Sequence, residues 1–169
     1  YNNPKVRAKI KDVAKYWLDI GVDGFRLDVA QYIGDDNETL TLNWWKEFNT
    51  YVKSINPEAY VVGEVNYDGA DDYNRHAPYY QGMDSTFNFP IYSQLIVMSV
   101  GLNVDILDTI NAARNIYAEN NNDFIDAILI GNHDRARFSS EILTLSGDSD
   151  FDINKINDEL VDTIQELNL

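Results

Sequence analysis

Helical and strand patterns alternate along the chain, and this alternation constrains the fold more than any other feature. Four short apolar segments are predicted to be strands, and each lies between helical stretches. Such alternation requires right-handed crossovers and a parallel sheet whose outer face is covered by helices. The predicted strands are GFRLDVA (24–30), YVVGEV (60–65), MDSTFNF (83–89) and part of FIDAILIGNHD (124–134), which runs into a loop.

The helical stretches carry apolar residues at helical spacing. The first follows the start signal Asn2-Asn3-Pro4 and ends at Gly21, and others are predicted from about residue 43 to 55, 91 to 100 and 105 to 120. Four strands do not close a barrel, so a (β/α)8 barrel would have only about half of its strands here. A final amphipathic helix is predicted from Ile153, Ile156, Leu160, Ile164 and Leu167.

Composition limits the partners and the chemistry. The 169 residues carry a net charge of −15 and include no cysteine. An acidic surface repels phosphate backbones and argues against nucleic-acid partners, whereas a neutral sugar is indifferent to it. Disulfides and thiol catalysis are excluded, and no apolar run is long enough to predict a membrane span. The first ten residues lack the apolar core of a signal peptide, so they predict no compartment.

Acidic residues stand at the ends of three predicted strands. Asp28 ends GFRLD, Glu64 ends VVGE, and Asp134 lies just past the last strand. One strand–helix–strand unit takes about 30 residues or more. The separations of 36 and 70 residues therefore correspond to one unit and to two. Because parallel strands end at the same edge of a sheet, we expect the three carboxylates to face one site.

Two carboxylates at one site are the usual equipment of glycoside hydrolysis. In the retaining form they lie about 5 Å apart; one attacks the anomeric carbon and the other donates, then removes, a proton. The two need different surroundings, because they must hold opposite protonation states. Arg26 shares a strand face with Asp28 and is expected to keep it ionised. Glu64 follows apolar residues with no adjacent cation, which favours its protonated form.

These residues also carry a family resemblance. GVDGFRLDVA, VVGEV and GNHD resemble three sequence signatures of the alpha-amylase family of glycoside hydrolases, in the family's order and spacing, and MDSTFNF resembles its sixth-strand segment. The resemblance implies that Asp28 is the nucleophile, that Glu64 is the general acid/base, and that Asp134 stabilises the transition state. It also implies that Arg26 and His133 contact the nucleophile and the substrate.

The resemblance implies the fold class as well. It is a (β/α)8 TIM-barrel catalytic domain, of which residues 1–169 form about strands 4 to 7 with their helices. The first three strands, the inserted domain, the eighth strand and the C-terminal domain are then expected to lie outside this chain. The chain departs from the family at Gln31 and Tyr32, where many amylases have Lys-His. Family members suggest an extracellular or cell-envelope location.

The expected function is cleavage of α-glucosidic bonds in starch-like glucans or maltooligosaccharides, with retention by double displacement and without a cofactor. A transglycosidase or isomerase on the same scaffold is the alternative within the enzyme class. Whether water or a sugar accepts the glycosyl group is decided by loops whose structure the sequence does not reveal. A third interpretation is an inactive barrel fragment. Half a parallel barrel exposes two strand edges, which predicts either pairing of two copies through those edges or a chain excised from a longer one.

Several residues outside these motifs receive structural interpretations. Trp44 and Trp45 lie on a helix and are expected in the core. His76 has no partner visible in the sequence and is expected in solvent. Tyr79 and Tyr80 lie in a predicted loop, where a sugar-stacking platform is an open alternative to a structural role.

A calcium-loop pattern occurs near the C-terminus. Its glycine position is occupied by Ile153, although that position requires a glycine for the sharp turn. A structural Ca²⁺ is therefore left open without a clear site, and no metal ligand is assigned. The residues that fit positions 1, 3, 5 and 12 are Asp148, Asp150, Asp152 and Glu159.

Overall fold

The computed structural model describes residues 2–34, 37–69, 71–100 and 105–146. Three parallel strands form a sheet in the order β1-β2-β3, and six helices accompany them in the described ranges. The strands are β1 (Gly24–Leu27), β2 (Tyr60–Gly63) and β3 (Ser85–Thr86). The helices are α1 (Pro4–Asp19), α2 (Glu38–Ile55), α3 (Tyr73–His76), α4 (Phe89–Ser99), α5 (Ile106–Asn120) and α6 (Phe138–Ser146).

The parallel sheet predicted from the alternation is confirmed. β1 pairs with β2 from Gly24 opposite Tyr60 to Leu27 opposite Gly63, and β2 pairs with β3. Glycine is required at position 24, because an added Cβ would lie 1.9 Å from the carbonyl oxygen of Tyr60. The register brings the carboxyl ends of the strands to one edge, where the predicted site residues follow them.

The fourth predicted strand is much shorter in the structure than in the prediction. Among the described residues its segment, 124–130, has a single parallel bridge, between Ala127 and Phe87. Two backbone hydrogen bonds reinforce it: Asn88 N donates to Ala127 O, and Ile125 N donates to Asp84 O. We call residues 124–130 the fourth segment. It lies beside β3, as the predicted strand order requires, but one bridge does not make a strand.

Helix α1 has the predicted start and a divided apolar surface. Asn3 caps it by accepting a hydrogen bond from Lys5 N, as expected for a residue before Pro4. Leu18 is buried against the rest of the fold, whereas Trp17 is 46% exposed on another face. The predicted helix is therefore confirmed, but its predicted apolar stripe does not face the described core: Ile10 packs against it, whereas Val6, Val13, Trp17 and Ile20 are exposed. Pairing of two copies through exposed surfaces stays a prediction.

Buried side chains of helix α2 form much of the core that packs against the sheet. It begins at Glu38, earlier than predicted, because Asn37 caps it by accepting from Leu40 N. Trp44 and Trp45 are 0% and 5% exposed, which confirms their predicted core role. The Trp45 indole also donates to the carbonyl oxygen of Ala30 at 2.8 Å. This bond fixes the turn that follows β1 to the helix.

His76 is fully buried, so its predicted exposure is wrong. It ends α3, a helix that the sequence pattern did not reveal, and this short helix brings the imidazole against β3. The ring contacts the Thr86 hydroxyl at 3.0 Å and the carbonyl oxygen of Tyr67 at 2.8 Å. Burial lowers the pKa of His76 to about 4, which keeps the imidazole neutral at physiological pH.

The alternative of a sugar platform at Tyr79 and Tyr80 is also wrong. Both side chains are 1% exposed, because the segment forms a 3-10 turn over Ala77–Gln81 and packs inward. Tyr80 stacks on Tyr117 of α5 with ring centroids 4.5 Å apart. The two tyrosines therefore join the sheet to the helices and leave no ring face for a ligand.

The remaining helices agree with the prediction except at the end of the described chain. Helices α4 and α5 match the predicted stretches within two residues. Helix α6 was not predicted, and the expected helix from 153 to 167 and the calcium-loop pattern lie outside the described residues. None of the helices in the described ranges combines the length and apolar character that a membrane crossing needs.

Candidate active site

The predicted site residues gather at the carboxyl edge of the sheet. Asp28 follows the last residue of β1, and Glu64 follows the last residue of β2. Asp134 lies in the loop that leaves the fourth segment. The convergence expected from the spacing of the three acids is therefore present, although they are far apart in the sequence.

A single guanidinium group connects the three carboxylates. Arg26 Nη1 pairs with Asp28 Oδ1, and Nη2 pairs with Glu64 Oε2 at 2.6 Å. The same Nη2 lies 4.0 Å from Asp134 Oδ2. Three acidic groups at one edge would repel one another, and the fixed positive charge of arginine offsets that repulsion.

The expectation that Glu64 has no adjacent cation is wrong. Arg26 lies opposite Val62 in the register of β1 and β2. Side chains two residues apart on a strand share a face, so Glu64 lies diagonally across from Arg26. This neighbour belongs to the other strand, and local sequence therefore gives no sign of it. Because Arg26 pairs with both carboxylates, its charge does not make the surroundings of Asp28 different from those of Glu64.

The two carboxylates differ instead in how deeply their side chains are buried. The Glu64 side chain is 9% exposed and that of Asp28 is 73% exposed. Two backbone hydrogen bonds hold the main chain of Glu64 in place. Its N–H donates to Leu27 O, and its carbonyl oxygen accepts from Ala30 N, both at 2.8 Å. Val29 has a left-handed φ of 35°, and its N–H donates to Glu64 Oε2 at 3.2 Å. The open carboxylate and the enclosed one thus occupy different surroundings.

Asp134 is held mainly by its neighbours in the loop. Its N–H donates to Asn132 Oδ1 at 3.0 Å, and its Oδ2 lies 2.9 Å from Nε2 of His133. The His133 side chain is 74% exposed beside Asp134. A cavity of about 760 Å³ lies against this loop, with His133 and Arg135 in its lining.

Arg135 is a residue near the site that the sequence reasoning missed. Its Nη2 lies 2.9 Å from Asp68 Oδ2 and 3.1 Å from Asn66 Oδ1, in the loop that follows Glu64. The only sequence signal was a cation directly after Asp134. Its partners lie more than sixty residues away, so the pairing depends on the fold.

The described residues offer no evident metal centre. Within 2–34, 37–69, 71–100 and 105–146, no group of three His, Asp or Glu side chains is arranged to hold an ion. These ranges do contain a group of side chains suited to acid–base chemistry. It consists of an exposed carboxylate, an enclosed carboxylate and a third acid beside an imidazole.

Comparison with known proteins identifies the family of this chain. The family described as "Alpha amylase, catalytic domain" matches residues 1–165. The chain belongs to the alpha-amylase family. It is 47% identical over 139 residues to Alpha-amylase 3 of Dictyoglomus thermophilum and 32% identical over 145 residues to Alpha-amylase SusG of Bacteroides thetaiotaomicron. These alignments cover 81% and 79% of the chain, but only 27% and 20% of the relatives.

A solved alpha-amylase structure confirms the fold class. The alpha-amylase from H. orenii superposes with a TM-score of 0.71 at 34% identity, over 85% of this chain and 30% of that one. The three-stranded parallel sheet and its helices are therefore part of the (β/α)8 barrel of an alpha-amylase catalytic domain. The chain spans less than a third of the length of these relatives.

Proposed function

We propose that this alpha-amylase family chain carries the catalytic centre of a retaining glycoside hydrolase that cleaves α-glucosidic bonds. The single observation that carries the proposal is the meeting of Asp28, Glu64 and Asp134 around Arg26. Carboxylates brought together from separate strand ends are what double displacement at an anomeric carbon requires. In the complete barrel, the remaining wall would close the other side of the site.

The roles follow from exposure and contacts. Asp28 is open to an incoming ligand and attacks the anomeric carbon, so that the glycosidic bond breaks as a glycosyl ester forms. Glu64 protonates the departing oxygen and then takes a proton from water, which attacks the ester and releases the sugar. Asp28 lies beside the fixed positive charge of Arg26, which offsets the repulsion among the three acids.

Asp134 and His133 have a supporting role in this cycle. Their side chains lie 2.9 Å apart and are both more than half exposed, so they can reach hydroxyl groups of a bound sugar. Hydrogen bonds that ring hydroxyls donate to a carboxylate, or form with an imidazole, strengthen as the oxocarbenium-like transition state develops. We infer that these two residues hold the distorted sugar rather than transfer its protons.

The proposed substrate is an α-glucan or a maltooligosaccharide. Two relatives bear the name alpha-amylase, and a neutral glucan suits a chain with a net charge of −15. Neither the acidic surface nor the open carboxylate would favour a phosphorylated ligand.

The test uses the complete protein that contains this chain. Asp28→Asn and Glu64→Gln should each lower kcat on 4-nitrophenyl α-maltotrioside by about a thousandfold or more, because each removes one chemical step. Asp12→Asn is the matched control; its carboxylate is exposed on α1 and pairs only with Lys9 among the described residues. Circular dichroism checks that each variant folds. Ordinary turnover by either site variant would overturn the assignment.

A second measurement identifies the nucleophile directly. A fluorinated glucosyl donor slows hydrolysis of the glycosyl ester, and peptide mass spectrometry should find the sugar on Asp28. Labelling of another carboxylate would refute its role. Product analysis on maltooligosaccharides then separates hydrolysis from transfer, because transfer makes products longer than the substrate and hydrolysis makes only shorter ones.

A further inference from the structure

Arg135 joins the loop of Asp134 to the loop of Glu64. It follows Asp134 directly in the sequence, and its guanidinium reaches Asn66 and Asp68, two and four residues after Glu64. One nitrogen, Nη2, contacts both partners. The side chain is 23% exposed, so water screens this pair less than it screens a fully exposed one.

The same guanidinium also packs on the start of α4. Its central carbon lies 4.8 Å from the ring centroid of Phe89 and 5.7 Å from that of Tyr92. A cation over an aromatic face is attracted by the ring. The planar guanidinium can stack and donate hydrogen bonds at the same time, which a lysine ammonium cannot do. Arg135 therefore connects its own loop to the loop after β2 and to the start of α4.

Asp134 has little backbone support of its own. In the described part of the chain, the fourth segment has one bridge, at Ala127, seven residues before Asp134. The hydrogen bond from Asp134 to Asn132 lies within the loop and does not fix the loop to the sheet. A long-range anchor at this place must come from a side chain, and Arg135 supplies one.

We propose that Arg135 is a positioning residue that sets the location of Asp134 relative to Glu64 and Arg26. The inference rests on the proposed function of Asp134 in the transition state. Arg135 itself does not contact the three carboxylates; it acts by holding the adjoining backbone through Asp68, Asn66 and the aromatic rings. A displacement of about 1 Å in a reacting group can cost about a hundredfold in rate.

The experiment compares two arginines of the complete protein. Arg135→Ala should lower kcat on 4-nitrophenyl α-maltotrioside by about tenfold to a hundredfold, with a smaller change in KM, because the loss arises in the transition state. Arg114→Ala is the matched control, since Arg114 pairs with Asp126 at the same 2.9 Å and connects the other end of the fourth segment to α5. It should change kcat by less than about threefold at a comparable loss of stability.

Two further variants keep the test decisive if Arg135→Ala folds poorly. Arg135→Lys preserves the charge but not the planar stacking, and it should recover part of the lost turnover. Asp68→Ala removes the carboxylate partner and should lower kcat in the same direction. Turnover unchanged in a folded Arg135 variant, or lowered equally in Arg114→Ala, would overturn the inference.

A double-mutant cycle separates this inference from the proposed function. In an Asp134→Asn background, Arg135→Ala should lower kcat by less than about twofold, because the group that it positions is already lost. Full additivity of the two effects would contradict positioning through Asp134. If Asp134→Asn alone leaves turnover unchanged, the proposed function of Asp134 fails instead, whatever Arg135→Ala does.

Discussion

Glu64 and Asp134 lie at the same edge of the parallel sheet, yet different contacts hold them. Glu64 continues directly from β2, which pairs on both sides and supplies backbone hydrogen bonds to Leu27 and Ala30. Asp134 follows a segment with one bridge in the described residues, and side chains of the loops hold it. The difference shows that a shared sheet edge can position one acid by backbone pairing and another by side-chain anchors.

The division agrees with the roles that we propose. A group that transfers protons to and from the reacting bond needs a fixed position, and a paired central strand provides it. A group that contacts sugar hydroxyls lies in a loop in this fold, and the side-chain contacts of Arg135 hold that loop in place. Disturbing each support separately tests whether the two regions are independent.

The largest effect is expected where β1 and β2 approach most closely. Gly24→Ala would place a Cβ 1.9 Å from the carbonyl oxygen of Tyr60, and this backbone atom cannot move without separating the strands. The free energy of unfolding should fall by about 3 kcal/mol, as measured by urea denaturation of the complete protein. Ser139→Ala, exposed at the start of α6, is the control and should cost less than about 0.5 kcal/mol. Equal stability of both variants would show that the strand pairing tolerates the displacement.

A smaller effect is expected from pH at the buried imidazole beneath the Glu64 loop. The pKa of His76 is about 4 in the folded chain and about 6.5 when unfolded. Because the unfolded chain takes the proton first, this stabilisation is complete above about pH 6.5 and is lost as pH falls towards about 4. From about pH 7.5 to about pH 4.5 the free energy of unfolding should fall by about 2.5 kcal/mol through this group.

The variant His76→Gln isolates that contribution. Its stability should lack the part of the pH dependence assigned to His76, whereas His133→Gln should retain it, because His133 is exposed. Urea denaturation at several pH values measures the difference. An identical pH dependence of the wild type and His76→Gln would show that another group is responsible.

The smallest effect is expected in the fourth segment. Asp126 accepts from Asn88 Nδ2 and from Arg114 Nε, each at 2.9 Å. Asp126→Ala would leave the buried amide of Asn88 without this partner and should cost about 2 kcal/mol. Hydrogen exchange should accelerate from residue 124 to 134 and stay unchanged from 60 to 65. Asp123→Ala, in an exposed turn, is the control. Faster exchange in β2 of the Asp126→Ala variant would show that β2 and the fourth segment are coupled.

The sequence predicted the elements with short-range signals and missed those that depend on distant contacts. Helical spacing and a capping asparagine revealed α1, and alternation on a strand placed Arg26 and Asp28 on one face. The pattern gave no sign of α3, whose four residues are too few for a periodicity. For this reason His76 was assigned to solvent, although the folded chain encloses it completely.

The candidate site shows the same limit. The order and spacing of Asp28, Glu64 and Asp134 predicted that they share one edge, because parallel strands end together. Which cation contacts Glu64 depended on the register of β1 against β2, and a register is a relation between strands.

The sequence alone determined that helices alternate with parallel strands and that the three acids reach one edge of the sheet, since periodicity and spacing are properties of the chain itself. Only the tertiary structure decided that Arg26 is shared, that His76 is buried and that Arg135 anchors the loop of Asp134. Those contacts join residues ten to seventy positions apart. Their partners are chosen by packing and register, which no local pattern records.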